Sequence, residues 1–262
     1  MAEKVMGEEP ASEQEDSIMK ILDDLLSTLN YHPEVRDIRQ GPFQTAVLTR
    51  NCGLASTPHD PKHHHDRAPV TGAGLLTSNS SRELAFLANS SSLHEAAIGM
   101  ATINSLLDVA TSLCLEINAS DLLFQKGKNK RIAIIGHFPF VPRLREVASQ
   151  LWVIEKKPAE GDLAESEAEN LLPQADIIGI TGTAFTNHTI EHLLQLCNKK
   201  AFVVILGGTS PLSPVLFNHG IDAVCGTRVI EPDRVLRYVS GGATFRQIKG
   251  IKLLTMMKDN YC

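Results

Sequence analysis

The chain has 262 residues, enough for one large domain or two smaller ones with a sizeable core. Hydrophobic residues make up 43% and charged residues 21%, and the net charge is −5 with Lys and Arg scattered. That balance is ordinary for a soluble globular protein and leaves no basic face, which argues against a nucleic-acid partner. No apolar run approaches the roughly 20 residues of a membrane helix, so no membrane partner is expected.

The opening stretch MAEKVMGEEPASEQED is acidic and lacks a signal-peptide hydrophobic segment, so residues 1–16 read as a frayed leader. Five cysteines, Cys52, Cys114, Cys197, Cys225 and Cys262, form no CxxC pair. The odd number suits reduced thiols and a cytoplasmic protein rather than a disulfide framework.

In SIMKILDDLLSTL, residues 17–29, Ile18, Ile21, Leu22, Leu25 and Leu29 recur at helical spacing. QTAVLTRN, residues 44–51, alternates as a strand does, and CGLAST follows it. TPHDPKHHHDRAPV, residues 57–70, is polar and rich in Pro and His, the composition of a loop. Helices are expected over 82–88 and over 92–107, the second rich in small residues that permit close packing. Together these predict a small α+β domain over residues 17–125. FQKGKNK, residues 124–130, is polar and reads as the boundary.

From residue 130 to 262 the pattern becomes strand, helix, strand. Strands are expected over 131–136, 151–155, 175–181, 202–208 and 221–226, with amphipathic stretches between them. Near-continuous apolar strands separated by helices predict a parallel sheet covered on both faces, a Rossmann-like α/β domain.

Ligands of such sheets bind beyond the carboxyl ends of the strands. Those ends read Gly136-His137-Phe138-Pro139, then Glu155, then Thr181-Gly182-Thr183 leading to Asn187, then Gly207-Gly208-Thr209-Ser210-Pro211, then Cys225-Gly226-Thr227. Tight turns and helix caps use the same residue types without any ligand. Their recurrence at every strand end favours a site. In GGTSP, Thr209 and Ser210 are expected to cap a helix whose first turn holds Pro211, an anion-attracting arrangement. Glu155 follows Gly136 by 19 residues, where a dinucleotide fold places an acidic residue on a ribose hydroxyl. The single glycine of GHFPFV and its bulky His-Phe-Pro turn disfavour the usual pyrophosphate approach, and no P-loop occurs. His137 is a candidate general base or metal ligand. His59, Asp60, His63, His64, His65 and Asp66 are loop decoration able to take up Zn²⁺ or Ni²⁺ adventitiously.

GHFPF, IEKKPAEGD, ITGTAFTNHTIEHLLQL and LGGTSPLSPVLFNHGIDAVCG, in this order, resemble the heavy-metal chelation domain family, formerly domain of unknown function 364. TAVLTRNCGLAST and HEAAIGMATINSL resemble the DUF4213 domain that precedes it, which is similar to the enolase N-terminal fold. The resemblance covers roughly residues 17–245. It implies a cleft between the two domains, lined by Glu95 and Asn104 from the first and by Gly136, His137, Phe138, Pro139, Glu155, Thr181, Gly182, Thr183, Asn187, Gly207, Gly208, Thr209, Ser210 and Pro211 from the second. Where family members often carry Gly-Pro before the Thr-Pro-Leu segment, Gly208 stands instead, which implies a looser turn. The His-rich loop looks like an insertion on which the family is silent.

The leading expectation is a protein that binds a small molecule or metal complex in that cleft, with a role in heavy-metal chelation and a transition metal as candidate cofactor. The alternative is a Rossmann-class enzyme, such as a transferase, using a nucleotide-like cofactor. Oligomeric state and the identity of the ligand are not legible.

Overall fold

The computed structural model describes residues 20–59 and 70–261. The leader, the start of the first expected helix and His63, His64 and His65 lie outside the described residues.

The N-terminal part contains α1 (Lys20–Ser27), β1 (Asp37–Gln40), β2 (Gln44–Leu48), β3 (Cys52–Ser56), α2 (Ser81–Phe86) and α3 (Leu93–Leu106). The three strands form an antiparallel sheet in the order β1-β2-β3. All five residues of β2 are buried, although its sequence alternates. The sheet is covered on both faces. Val47 and Ala55 join the main core with Ala101 and Ile103 of α3, while Ala46, Leu48 and Leu54 pack against a C-terminal helix. Small residues let α3 approach closely: a Cβ on Gly99 would lie 1.9 Å from Ala88 N. Ser92 caps this helix by accepting from the Glu95 N–H.

The C-terminal part contains β4 (Cys114–Leu115), α4 (Ala119–Gly127), β5 (Arg131–Ile135), α5 (Val141–Val147), β6 (Gln150–Glu155), β7 (Leu163–Ala164), α6 (Ala168–Leu171), β8 (Ile177–Thr181), α7 (Thr183–Thr186), α8 (Ile190–Leu196), β9 (Phe202–Leu206), β10 (Ala223–Val229), α9 (Pro232–Ser240) and β11 (Ile251–Met257). The sheet order is β4-β11-β10-β9-β8-β5-β6-β7. From β10 to β7 every pairing is parallel, whereas β11 runs antiparallel to both β10 and β4. The five expected strands are the apolar core of this sheet; β4, β7 and β11 were not anticipated. Segment 124–130, read as a linker, holds the last turn of α4 and the tight turn into β5, where Asn129 has φ +58°. Asn118 caps α4 by accepting from the Asp121 N–H at 3.0 Å.

The six parallel strands follow the doubly-wound order 3-2-1-4-5-6, with β5 as the first and β8 as the fourth. The direction of winding reverses between β5 and β8, so their carboxyl ends flank the crevice where such folds bind ligands.

Side chains and backbone lock the two parts together. The Ser56 N–H donates to Thr209 Oγ1 at 2.9 Å, and Asn104 Nδ2 donates to Leu54 O at 2.8 Å and Thr209 O at 3.1 Å. Arg228 reaches Asn51 at 2.9 Å, and His188 Nε2 donates to Ala88 O at 2.8 Å. Helix α9 supplies Val235, Leu236 and Val239 to the back of the three-stranded sheet.

Candidate functional site

Two cavities open at the carboxyl end of the sheet. The larger, about 870 Å³, is lined by the turns after β5, β8 and β9, by Cys225, Gly226 and Thr227 within β10, by Leu253 and Leu254 of β11, by the start of α4 and by residues 244–246. Its volume suits a ligand of drug or cofactor size. The smaller, about 290 Å³, lies among the ends of β5, β6 and β8 and the residues around α6 and α8. Phe138, Thr181 and Thr183 line both.

The turns are built so that backbone can come close. Gly136 and Gly207 have φ of +105° and +115°, which side-chain-bearing residues rarely adopt. A Cβ on Gly207 would meet nothing within 4 Å, so that glycine serves the backbone turn rather than a crowded contact. Gly182 is different. A Cβ there would lie 2.6 Å from Ser210 N, so the turns after β8 and β9 touch backbone to backbone.

The larger cavity has an apolar floor and a cationic rim. Phe138 and Phe140 stack with centroids 5.3 Å apart and an interplanar angle of 13°. Phe245 stands against Gly208, and Arg143 and Arg246 belong to the wall. Arg143 lies over the Phe124 ring with 4.8 Å to its centroid. No Asp or Glu lines this cavity, and neither arginine has a carboxylate partner among the described residues. Thr227 Oγ1 is buried without a hydrogen-bond partner among the described residues, a cost that a ligand's polar group would remove. Among the described residues Cys225 is the cavity's one thiol; burial pushes it up to about 11, with a hydrogen bond from Thr255 acting the other way. It is therefore protonated at neutral pH and a poor metal ligand as it stands.

The smaller cavity is chemically richer. His137 Nδ1 lies 2.9 Å and 3.1 Å from the two oxygens of Asp162. Glu155 accepts the His137 backbone N–H at 2.8 Å and the Lys156 N–H at 3.0 Å. Thr181 and Thr183 hydroxyls are 3.0 Å apart. Asn187 accepts from the Thr189 N–H and hydroxyl at 3.3 Å and 2.7 Å, shaping the turn into α8.

The residues anticipated from sequence therefore separate into groups. Gly136, His137, Glu155 and Asn187 line the smaller cavity, and Pro139, Gly182, Gly207, Gly208 and Thr209 line the larger. Ser210 and Pro211 line neither. The helix expected at Pro211 does not form: the Ser213 N–H closes a tight turn onto Pro211 O at 2.8 Å, and a short 3-10 turn begins only at Pro214. Pro214 disfavours the helical region for Ser213, which sits at φ −133°, ψ 131°. The GGTSP turn thus offers no helix N-terminus to an anion. Asn104 is a strut between the two parts, and of the described residues of the N-terminal part only Ser56 lines the larger cavity. Glu95 stands nine residues from Asn104 on α3, about 13 Å along the axis, and lines neither cavity. Burial raises its carboxyl, but hydrogen bonds from Ser90 and Thr71 outweigh that and leave it lowered.

Arg143, Arg246, Phe245 and Asp162 were not anticipated. The arginines carry no motif, because topology alone brings a residue of α5 and one from the segment before β11 to the same rim. Asp162 had a signal: it follows Gly161 in the turn after β6.

A protein-family model described as "Putative heavy-metal chelation", DUF364, matches residues 118–258. The chain belongs to the DUF364 family. A second model with the same description, DUF4213, matches residues 22–107. Crystal structures of two DUF364 proteins of unknown function resemble the chain. The one from Desulfitobacterium hafniense DCB-2 is 26% identical, has a TM-score of 0.79 and covers 94% of this chain and 100% of its own. The one from Pyrococcus horikoshii is 21% identical, has a TM-score of 0.77 and covers 92% and 99%, which shows the shared fold. The uncharacterized protein MJ0500 of Methanocaldococcus jannaschii is 27% identical over 173 residues, 63% of this chain and 66% of its own length.

The family description raises the question of a metal. Among the described residues no group of three or more His, Cys, Asp or Glu side chains is arranged to hold one. His137, the single candidate ligand, is engaged by Asp162 at one ring nitrogen. The side chains of the described residues thus do not form a metal site of their own. No helix among them is long and apolar enough to cross a membrane.

Proposed function

We propose that this DUF364 protein binds an anionic small molecule, or a metal complex whose chelator carries negative charge, in the 870 Å³ cavity at the carboxyl end of its parallel sheet. The observation that carries this reading is the charge of the wall: Arg143 and Arg246 with no carboxylate among the described residues. Guanidinium groups pair bidentately with carboxylate or phosphate. The Phe138, Phe140 and Phe245 rings receive an apolar or planar portion. A metal arriving inside its own chelator needs no ligand set from the protein, which reconciles the family description with the donors present. The seam through Ser56 and Thr209 ties the N-terminal part to the cavity.

A second reading has one observation in its favour. The strand order is that of dinucleotide-binding folds, and Glu155 ends the second strand of that order, where a ribose is gripped. Against it, both Glu155 oxygens already accept backbone N–H groups, and the Gly136 turn runs straight into the Phe138 ring.

Thermal-shift measurements separate the two. Citrate and aminocarboxylate chelators, free and loaded with Ni²⁺ or Zn²⁺, are expected to raise Tm in the wild type and not in an Arg143→Ala/Arg246→Ala variant. A rise with ATP or S-adenosylmethionine alone favours the second reading. Equal shifts in wild type and double variant, or none with any ligand, overturn the first.

A further inference from the structure

The smaller cavity holds a pair that anion binding leaves unused. A carboxylate only accepts hydrogen bonds, so the contact of His137 Nδ1 with Asp162 at 2.9 Å makes Nδ1 the donor. In the neutral ring Nε2 is then the bare acceptor. Asp162 has a side chain only 2% exposed, while that of His137 is 49% exposed and lines the cavity. Nε2 makes no hydrogen bond to any described residue. Asp162 is itself fixed, accepting the Ala159 N–H at 3.2 Å. The imidazole is anchored from its backbone as well, through the N–H that Glu155 accepts. The cavity wall also carries the Thr181 and Thr183 hydroxyls, 3.0 Å apart. Lys156 and Glu165, 3.5 Å apart, complete its charged groups with Glu155.

We propose that His137 is a general base, positioned by Asp162, that takes a proton from a hydroxyl-bearing molecule, water included, in the 290 Å³ cavity. The O–H bond breaks, the proton passes to Nε2 and the electron pair stays on oxygen. Asp162 offsets the imidazolium charge, and the Thr hydroxyls are placed to hydrogen-bond the oxyanion. The reverse transfer restores the neutral ring. A buried carboxylate on one ring nitrogen of a half-exposed, cavity-lining imidazole, with the other nitrogen unbonded among the described residues, is the arrangement that general-base catalysis requires. His137 would touch the reacting group, whereas Asp162 is a positioning residue.

Two measurements on the full chain test this without any ligand of the larger cavity, so their failure is separate from failure of the anion-binding reading. Nitrogen-15 NMR of histidine-labelled protein, with the resonance assigned through His137→Gln, is expected to show the neutral ring protonated at Nδ1. Asp162→Ala should shift that preference; Asp162→Asn, which keeps an acceptor for the Ala159 N–H, serves if the alanine variant does not fold. The second probe is 4-nitrophenyl acetate. The attacking water gives its proton to Nε2 as its oxygen forms the new carbon–oxygen bond, the ester carbon–oxygen bond breaks to release 4-nitrophenolate, and the Nε2 proton then passes to solvent. His137→Gln should slow the turnover by at least about tenfold, and Asp162→Ala by less. A ring protonated at Nε2 in the wild type, or turnover unchanged in His137→Gln, overturns the proposal.

Discussion

The two cavities share a wall of Phe138, Thr181 and Thr183, yet they are built from opposite charges. Among the described residues the larger carries two arginines and no carboxylate, the smaller Glu155, Glu165 and Lys156 around His137. Both arise at one place in the topology, the reversal of winding between β5 and β8. The difference comes from which elements reach the rim on each side: α4, α5 and the segment before β11 on one, the turns after β6 and before α8 on the other. One crevice can thus serve recognition on one side and proton transfer on the other, with no residue needed for both.

The turn between Thr181 and Thr183 of the shared wall is the place to break the arrangement. Gly182→Val would drive a Cβ to 2.6 Å from Ser210 N, a backbone atom that cannot swing away. Urea denaturation is expected to show a loss of about 3 kcal/mol. A variant as stable as the wild type would mean that the turns after β8 and β9 are free to separate. Next in size is the seam beneath the larger cavity. Asn104→Ala leaves the Leu54 and Thr209 carbonyls without this donor and is expected to cost about 1–3 kcal/mol by the same measurement. The arginines come third: Arg143→Ala and Arg246→Ala should each weaken an anionic ligand about tenfold, or 1.4 kcal/mol, in calorimetry. Equal affinity in either variant removes that side chain from recognition.

The smallest effect is expected at the opposite end of the sheet. Hydrogen bonds from the Arg131 side chain and backbone hold the Asp176 carboxyl down at about 2 from its ordinary 3.8. A lowered folded value means that this pair's contribution is present above about pH 4 and is lost as pH falls toward about 2. The pair is partly exposed, so its contribution is modest. Asp176→Asn should flatten the acid side of the stability profile without touching either cavity, and an unchanged profile would show that other carboxylates govern it.

Much of this molecule is legible in sequence because buried parallel strands write themselves as apolar runs. RIAII, IIGIT and FVVIL each sit within a residue or two of their expected bounds, and the glycine after each marks the rim. β4 and β7 escaped because two residues carry no period. β11 escaped because its antiparallel pairing with β10 is a tertiary fact, and α4 because its polar end resembles a linker. At the site, the turn residues were readable from local backbone chemistry. Arg143, Arg246 and Phe245 were not, since nothing local distinguishes an arginine at a cavity rim from one on a solvated surface. Glu95 misleads for the converse reason: an acidic residue in the first turn of a helix is explained by its own local hydrogen bonds.

The most direct measurement is native mass spectrometry, with elemental analysis, of protein purified without a metal-affinity tag and incubated with citrate or its Ni²⁺ complex. Binding in the larger cavity predicts a one-to-one adduct in the wild type that Arg143→Ala/Arg246→Ala loses. An adduct retained by the double variant, or absent from the wild type at saturating ligand, contradicts it.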